Sequence, residues 1–252
     1  MSQPPRILAI AGSDSSGGAG IQADIKTITM LGGYAMTAIT AVTAQNTAGV
    51  TAVEALSPAM VAAQIDACVG DIGVDAVKIG MLGSPAIAAV VAERLERLDV
   101  PVVFDPVMIA TSGAVLADAA TIAGFERLMA LAALTTPNVP ELEALGGHAA
   151  LAARGIAYLA KGGDADGPEV EDSLHLPGRP PRVWSAPRIV TRHTHGTGCT
   201  LSSAIACGLG AGLDVVAAIE RGRAFVRAAL EAAPGFGSGN GPMGHQAVQS
   251  SS

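Results

Sequence analysis

Basic residues are few and scattered in this sequence. Lys and Arg number 15 against 22 Asp and Glu, which gives a formal net charge of -7, and no block of Lys or Arg occurs. A general nucleic-acid binder needs a basic electrostatic footprint, so that class of protein is excluded. The composition is compatible with binding of small phosphate-bearing ligands, because backbone amides can bind them without net charge.

Cysteine is also scarce. The three cysteines, Cys68, Cys199 and Cys207, are an odd number, and no two of them have a Cys-x-x-Cys spacing. This pattern indicates neither a disulfide framework nor a zinc site, and we expect the thiols to be reduced.

Long hydrophobic runs are absent, although 50% of the residues are apolar. The segment 27–53 carries no charged residue, but it holds three glycines and seven threonines. A membrane-spanning helix needs about 20 predominantly apolar residues. The start of the chain, Met1 to Pro5, also lacks the pattern of a secretory signal. We therefore expect a cytoplasmic protein without a membrane partner and with a sizeable core.

Short strands alternate with Ala-rich helical segments, beginning with a strand from Arg6 to Ala11. This order predicts an α/β fold, in which a mostly parallel central sheet is flanked by helices and binds ligands at the carboxyl ends of its strands. One helix is predicted from about Ala119 to Leu134, and the Pro-rich part from Pro168 to Val190 predicts antiparallel edge strands. We assign residues 1–234 to one domain. The Gly/Ser-rich tail, 235–252, is expected to be loosely held.

The first Gly-rich segment, Gly12 to Gly20, fits neither of two standard phosphate-binding patterns. A Walker A motif needs Lys and then Ser or Thr where Gly18 and Ala19 stand. A dinucleotide fingerprint needs an acidic residue in the stretch between Asp24 and Glu54, where none occurs. A tight turn before a helix is the simple interpretation. The bare backbone, followed by Asp24 inside the helix, favours close contact with a small ligand.

The second Gly-rich segment contains Gly196, Thr197, Gly198 and Cys199, directly before an uncharged helix. Unpaired amides and the positive end of the helix dipole meet at such a point, which suits a transferring phosphoryl group. A helix N-terminus also favours the thiolate of Cys199, so this residue is a candidate base or nucleophile. The simpler alternative is a small buried cysteine that packs like alanine.

Polar residues follow three further predicted strands. Asp105 ends one strand, Asn138 and Glu141 follow the next, and Lys161 precedes a pair of glycines. Carboxylates beside a phosphate site suit Mg²⁺, and Lys161 could neutralise phosphate charge. Each of these residues alone is also compatible with a solvated loop. Metal binding by the histidines at 193 and 195 is not favoured, because no partner ligand is evident.

These motifs together make the chain resemble the hydroxymethylpyrimidine/phosphomethylpyrimidine kinases of thiamine biosynthesis, within the ribokinase-like superfamily. The resemblance runs from about Ile7 to His245. Its most specific pieces are Ala11–Asp24, Thr40–Thr47, Lys78–Leu82, Asp105–Met108, Thr136–Glu141, Lys161–Gly163 and Thr194–Thr200.

The resemblance implies a ribokinase-like three-layer sandwich and an ATP-dependent kinase. The enzyme would phosphorylate 4-amino-5-hydroxymethyl-2-methylpyrimidine and then its monophosphate, as a homodimer. Cys199 would be the catalytic base, and Gly196, Thr197 and Gly198 would form the anion hole. Mg-ATP would be surrounded by Asp105, Asn138, Glu141 and Lys161, with Asp105 and Glu141 as metal ligands and Thr197 as a further nucleotide contact. The pyrimidine pocket would be lined by Gly12, Ala19, Asp24, Gln45, Met81 and Val107.

The sequence departs from the family pattern in two places. Only 19 residues separate Glu141 from Lys161, so the helix around Ala149 to Arg154 is expected to be one or two turns long. Asp164 stands where the family often has His. Two alternatives stay open, a pyridoxal or pyridoxine kinase and a catalytically silent binder. Gln45 favours the aminopyrimidine, because a carboxamide offers both a donor and an acceptor to its edge.

Overall fold

The computed structural model describes residues 3–109, 113 and 116–248. In this part of the chain, nine strands form one sheet and eight α-helices cover it. The strands are β1 (Arg6–Asp14), β2 (Tyr34–Asn46), β3 (Gly49–Ala55), β4 (Ala76–Ile79), β5 (Val102–Phe104), β6 (Leu134–Thr135), β7 (Tyr158–Ala160), β8 (Glu169–His175) and β9 (Arg182–Pro187). The helices are α1 (Gly20–Met30), α2 (Pro58–Ala67), α3 (Pro85–Leu95), α4 (Ala119–Leu131), α5 (Val139–Ala144), α6 (Gly147–Ala153), α7 (Thr197–Gly210) and α8 (Val215–Glu231). None of the helices within the described ranges is long and apolar enough to cross a membrane.

The strand order across the sheet is β3-β2-β1-β4-β5-β6-β7-β8-β9. The neighbouring pairs from β2 to β7 are parallel, whereas β3, β8 and β9 pair antiparallel with their neighbours. Crossovers between parallel strands bring their carboxyl ends to one edge of the sheet. The mostly parallel sheet and the antiparallel edge strands that the sequence predicted are therefore confirmed.

Side chains alternate between the two faces of the sheet and bury a helical layer on each. In β5, Phe104 packs against α4, where its ring meets that of Phe125 edge-on at 5.1 Å between centroids. Val103 points to the opposite face and belongs to a cluster with Leu201 and Ile205 of α7. Because successive strand residues face opposite sides, two separate apolar cores result. The three layers of the expected sandwich are present.

Two element boundaries differ from the prediction. Helix α4 ends at Leu131 rather than Leu134, because Leu134 is fully buried in β6 and pairs with Val103 of β5. Strand β1 continues to Asp14, since its last residues pair with β2 as far as Thr43. In both cases sheet pairing overrides local propensity. The short helix expected before Lys161 is confirmed, because α6 has seven residues.

The prediction of a loosely held tail is wrong for residues 237–245. Met243 and His245 are buried, and the carbonyl of Gly241 accepts a hydrogen bond from the amide of His195 at 3.2 Å. A Cβ atom on Gly239 would overlap the carbonyl of Thr47, so the missing side chain permits this close approach. The glycines, taken as a sign of mobility, instead allow the segment to pack against the site.

Candidate active site

A cavity of about 730 Å³ opens at the carboxyl edge of the sheet. Both Gly-rich segments and the ends of several strands line it, as expected for a parallel α/β sheet. All the predicted site residues except Asp24 lie on its wall, namely Gly12, Ala19, Gln45, Met81, Asp105, Val107, Asn138, Glu141, Lys161, Gly196, Thr197, Gly198 and Cys199. The residues that the sequence analysis grouped into one site therefore do lie in one cavity, apart from Asp24.

Asp24 is the exception, and its assignment to the pocket wall is corrected. Its side chain is fully buried, and it accepts hydrogen bonds from Lys78 Nζ at 2.8 Å and from Ser203 Oγ at 2.7 Å. Burial raises the pKa of Asp24, and the contacts with Lys78 and Ser203 oppose that shift. Burial alone would lower the pKa of Lys78, but the Asp24 carboxylate raises it, so the ammonium stays charged. Asp24 thus neutralises Lys78 beneath the cavity.

Sequence reasoning missed the part that Lys78 plays. The residue lies in β4, between apolar neighbours, and is fully buried. A lysine at such a position needs a buried carboxylate as its partner. Asp24 shares a helix face with Ile21 and Ile28, at positions three and four residues apart, and all three are buried. That spacing was the signal that could have placed Asp24 inside rather than on the cavity wall.

The N-terminus of α7 has the geometry of an anion site. Gly196 precedes the helix with φ of 86°, and a Cβ there would overlap the carbonyl of Gly18. The amides of Gly198 and Cys199 in the first turn have no helical carbonyl to bind. A Cβ placed on Gly198 would lie 3.2 Å from Lys161 Nζ, so the ammonium and these amides share one space. An anion there meets both a cation and a helix dipole.

Cys199 is half-buried and lies on the cavity wall. Burial raises the pKa of its thiol to about 11, with Lys78 opposing the shift and the Asp24 and Asp105 carboxylates adding to it. Burial thus opposes the thiolate that the helix N-terminus is expected to favour. Desolvation is the largest cause of the shift, and the two buried carboxylates add to it.

Asp105 and Lys161 form an ion pair at the base of the cavity. Lys161 Nζ lies 2.7 Å from Asp105 Oδ1, which also accepts from Thr136 Oγ1 at 3.0 Å. Ser202 Oγ of α7 lies 3.4 Å from Asp105 Oδ2. Burial opposes ionisation of Asp105, but Lys161 and Lys78 lower its pKa on balance. Both members of the pair are charged, and the Lys161 ammonium lies beside Gly198 in the first turn of α7.

Asn138 and Glu141 bind each other at the start of α5. Asn138 Oδ1 accepts from the Glu141 amide at 2.9 Å, and Glu141 Oε2 accepts from the Asn138 amide at 2.8 Å, which is a capping box. The side-chain oxygen of Asn138 is thus occupied by the helix. Glu141 Oε2 lies 4.0 Å from Lys161 Nζ. Burial raises the pKa of Glu141 to about 7, with Lys161 opposing and Asp105 adding to the shift.

Arg188 orders the segment that follows Lys161, a role that the sequence did not reveal. Its guanidinium donates to the carbonyls of Gly163 at 2.7 Å and Gly167 at 2.8 Å, and also to the carbonyl of Ala165. Both Arg188 and Asp164, the residue that departs from the family pattern, lie on the cavity wall. An arginine saturated by carbonyls fixes a loop rather than binding an anion directly.

The comparisons with known proteins agree with this geometry. A family model for phosphomethylpyrimidine kinase matches residues 14–244. The hydroxymethylpyrimidine/phosphomethylpyrimidine kinase of Rhizobium meliloti is 46% identical over 255 residues, which cover 94% of this chain and 96% of that protein.

Solved structures confirm the ribokinase-like fold. An ADP complex of Bacillus subtilis pyridoxal kinase has a TM-score of 0.87 at 32% identity, with 97% of this chain and 98% of that chain covered. A phosphomethylpyrimidine kinase from Clostridium difficile has a TM-score of 0.75 at 39% identity, with 88% and 98% covered. From the family match, the relative in Rhizobium and the cavity at the sheet edge, we conclude that this chain belongs to the hydroxymethylpyrimidine/phosphomethylpyrimidine kinase family.

Proposed function

We propose that this chain uses ATP to phosphorylate the hydroxymethyl group of 4-amino-5-hydroxymethyl-2-methylpyrimidine, and then converts the monophosphate to the pyrophosphate, in thiamine biosynthesis. The observation that carries the proposal is the position of Cys199 at the N-terminus of α7. There the amides of the first turn and the Lys161 ammonium face the same cavity that Gln45 and Met81 line. Family membership supports the choice of substrate.

The cavity has an apolar part, which suits the nucleotide, and a part around Gly12 and Gln45, which suits the pyrimidine ring. Apolar side chains of Val170, Leu201, Val226 and Leu230 line one part of the cavity, beside Arg223. Such a surface suits the base of a nucleotide, whose phosphates would extend toward Lys161 and α7. Gly12 faces Met81, with Gln45 nearby on the wall, and bare backbone there leaves room for a flat ring.

In the transfer step, different residues stabilise charge and accept the proton. Amides of Gly198 and Cys199 and the Lys161 ammonium stabilise the charge on the phosphoryl group as it moves. Cys199 accepts the proton of the attacking alcohol, for which it must first be a thiolate. Lys78 opposes the rise in the thiol pKa and so assists that ionisation. The second acceptor is a phosphate oxygen, which is already anionic near neutral pH and needs no base.

The residues present fit Mg²⁺ bound together with the nucleotide. Two buried carboxylates, Asp105 and Glu141, face one cation, Lys161, so the site holds one carboxylate more than it neutralises. Burial raises the pKa of Glu141 to about 7, and the neighbouring Asp105 carboxylate adds to that rise. Mg²⁺ commonly takes one or two carboxylates plus phosphate oxygens, and it would neutralise charge on the transferring phosphates.

Replacement of Glu141 tests this assignment. Glu141→Gln keeps the size of the side chain but removes the ionisable group, so it should raise the Mg²⁺ concentration needed for half-maximal rate more than it changes KM for the pyrimidine. In the wild type, the Mg²⁺ requirement should fall as pH rises through about 7, because the carboxylate then ionises. The variant should lack this pH dependence. Superimposable Mg²⁺ titrations of variant and wild type would remove Glu141 from the site.

Pyridoxal is the second candidate substrate, because the pyridoxal kinase structure resembles this chain closely. Gln45→Leu should distinguish the two ring substrates. The change should cost about 1 to 3 kcal/mol in kcat/KM for the aminopyrimidine, since polar atoms of the ring lose their partners. Turnover of pyridoxal, which has no amino group on its ring, should fall less. Equal losses for both substrates would show that Gln45 does not select the ring.

Two further expectations have direct tests. A catalytically silent binder would bind ATP and pyrimidine in calorimetry without forming ADP in a turnover assay.

The homodimer that the family resemblance implies stays a prediction, which light scattering after size-exclusion chromatography would check against the 25.0 kDa chain mass.

A further inference from the structure

Asp14, at the end of β1, is the centre of a hydrogen-bond network that the proposed mechanism does not use. Its carboxylate accepts from the amides of Ser16, Gly18 and Ala19 and from the Ser16 hydroxyl. A further contact of 2.9 Å joins Asp14 Oδ2 to His195 Nε2. Burial would raise the pKa of Asp14, but these hydrogen bonds lower it to about 2. An ionised carboxylate only accepts, so His195 Nε2 must carry the proton.

The carboxamide of Gln45 lies between His195 and Thr43. Gln45 Nε2 is 3.3 Å from His195 Nε2, and Gln45 Oε1 is 3.2 Å from Thr43 Oγ1. Thr43 Oγ1 donates its proton to the carbonyl of Ser13 at 2.8 Å, so toward Gln45 it accepts. A half-turn of the carboxamide, which exchanges its nitrogen and oxygen without changing its shape, satisfies both neighbours at once. The oxygen then accepts the longer branch of a three-centre hydrogen bond from His195 Nε2–H, whose shorter branch goes to Asp14 Oδ2, and the NH₂ group donates to Thr43.

His195 is itself rigidly held. Its side chain is 3% exposed, and its amide donates to the carbonyl of Gly241 in the C-terminal segment at 3.2 Å. A Cβ on Gly18 would overlap the imidazole ring, so the ring fills the space above that glycine. The imidazole therefore links the first Gly-rich segment to the second, with Gln45 at its open side. Few rotamers are available to a side chain that is packed and hydrogen-bonded in this way.

We propose that His195 is a positioning residue that orients the Gln45 carboxamide toward the substrate ring and so contributes to selectivity for an aminopyrimidine. The proposal rests on the proposed function. An aminopyrimidine presents an amino donor beside a ring-nitrogen acceptor. A carboxamide fixed by His195 and Thr43 keeps one oxygen lone pair and one N–H for that edge. A pyridine ring without the amino group would gain little from the fixed orientation.

The test compares His195→Leu with His195→Gln in steady-state assays of the aminopyrimidine alcohol and of pyridoxal. His195→Leu removes the donor and should raise KM for the aminopyrimidine about tenfold or more. KM for ATP, and KM for pyridoxal, should change less than about threefold. His195→Gln restores an N–H at a similar reach and should recover most of the loss. His148→Leu removes a histidine hydrogen bond to Tyr158 away from the cavity and serves as the control.

A double-mutant cycle separates positioning from a merely structural role. If His195 acts through Gln45, His195→Leu should add almost nothing to KM for the aminopyrimidine in a Gln45→Leu background. Additive losses, or equal losses for both ring substrates, would overturn the inference. If His195→Leu does not fold, the shorter His195→Asn takes its place in the same cycle. Wild-type protein that turns over pyridoxal but not the aminopyrimidine would instead reject the proposed function, and this inference with it.

Discussion

Cys199→Ala should suppress phosphorylation of the pyrimidine alcohol by about 10² to 10⁴-fold, the usual contribution of a general base. Phosphorylation of the monophosphate should fall much less, because its acceptor oxygen is already anionic near neutral pH. Binding of ATP should be nearly unchanged, since the anion site is made of backbone amides and Lys161 rather than of the thiol. The ratio of the two rates is the informative quantity, and single-turnover assays with each acceptor would give it.

The pKa of the thiol adds a pH dependence with a defined sign. Burial holds the pKa of Cys199 at about 11, so the thiolate fraction increases as pH rises from 7 to 9. The alcohol step should therefore accelerate over that range, by up to about tenfold per pH unit, and the acceleration should vanish in Cys199→Ala. Cys207→Ala, a buried thiol farther along α7, is the matched control. Near-normal rates on the alcohol in Cys199→Ala would reduce the residue to a packing role.

Lys161→Met should lower kcat by about 10² to 10³-fold in both phosphorylation steps, which distinguishes it from Cys199→Ala. The ammonium faces the amides of α7, and its loss removes charge stabilisation that either acceptor needs. The change also leaves the Asp105 carboxylate buried without its partner at 2.7 Å. We expect that to cost about 3 to 5 kcal/mol of the free energy of unfolding.

Two controls keep activity and stability apart. Asp105→Asn combined with Lys161→Met removes both members of the 2.7 Å ion pair, so the double variant should recover much of the lost stability in urea unfolding but no activity. Lys26→Met removes an exposed lysine that donates to the carbonyl of Gly17, and it should leave both steps almost unaffected. A Lys161→Met enzyme that keeps its kcat, or loses only one step, would contradict the role in charge stabilisation.

Much of the site could be predicted because parallel strands end at one edge. Asp105, Asn138 and Lys161 each follow a strand, so strand order alone brings them together. The N-terminus of α7 was recognisable for a different reason, since glycines directly before an uncharged helix leave amides unpaired. Fold and cavity therefore follow from local patterns that agree with one another.

What could not be predicted depends on packing between distant parts of the chain. Asp14 and His195 are 181 positions apart and meet only because two Gly-rich segments pack together. The pKa of Cys199 likewise reflects burial and the carboxylates of Asp24 and Asp105, none of which a helix N-terminus reveals. The prediction that the tail is loosely held was wrong because glycine occurs both in mobile segments and at close contacts. Here the glycines at 237 and 239 lie against Thr47, a contact between distant parts of the chain.

Turnover of three acceptors in parallel gives a direct test of the proposed kinase activity. ADP formation by the wild-type protein would be followed with the pyrimidine alcohol, its monophosphate and pyridoxal, under saturating ATP and Mg²⁺, and the products would be identified by mass spectrometry. We expect that the alcohol gives the monophosphate, that the monophosphate gives the pyrophosphate, and that kcat/KM for the alcohol exceeds that for pyridoxal. Phosphorylation of pyridoxal alone, or of none of the three, would contradict it.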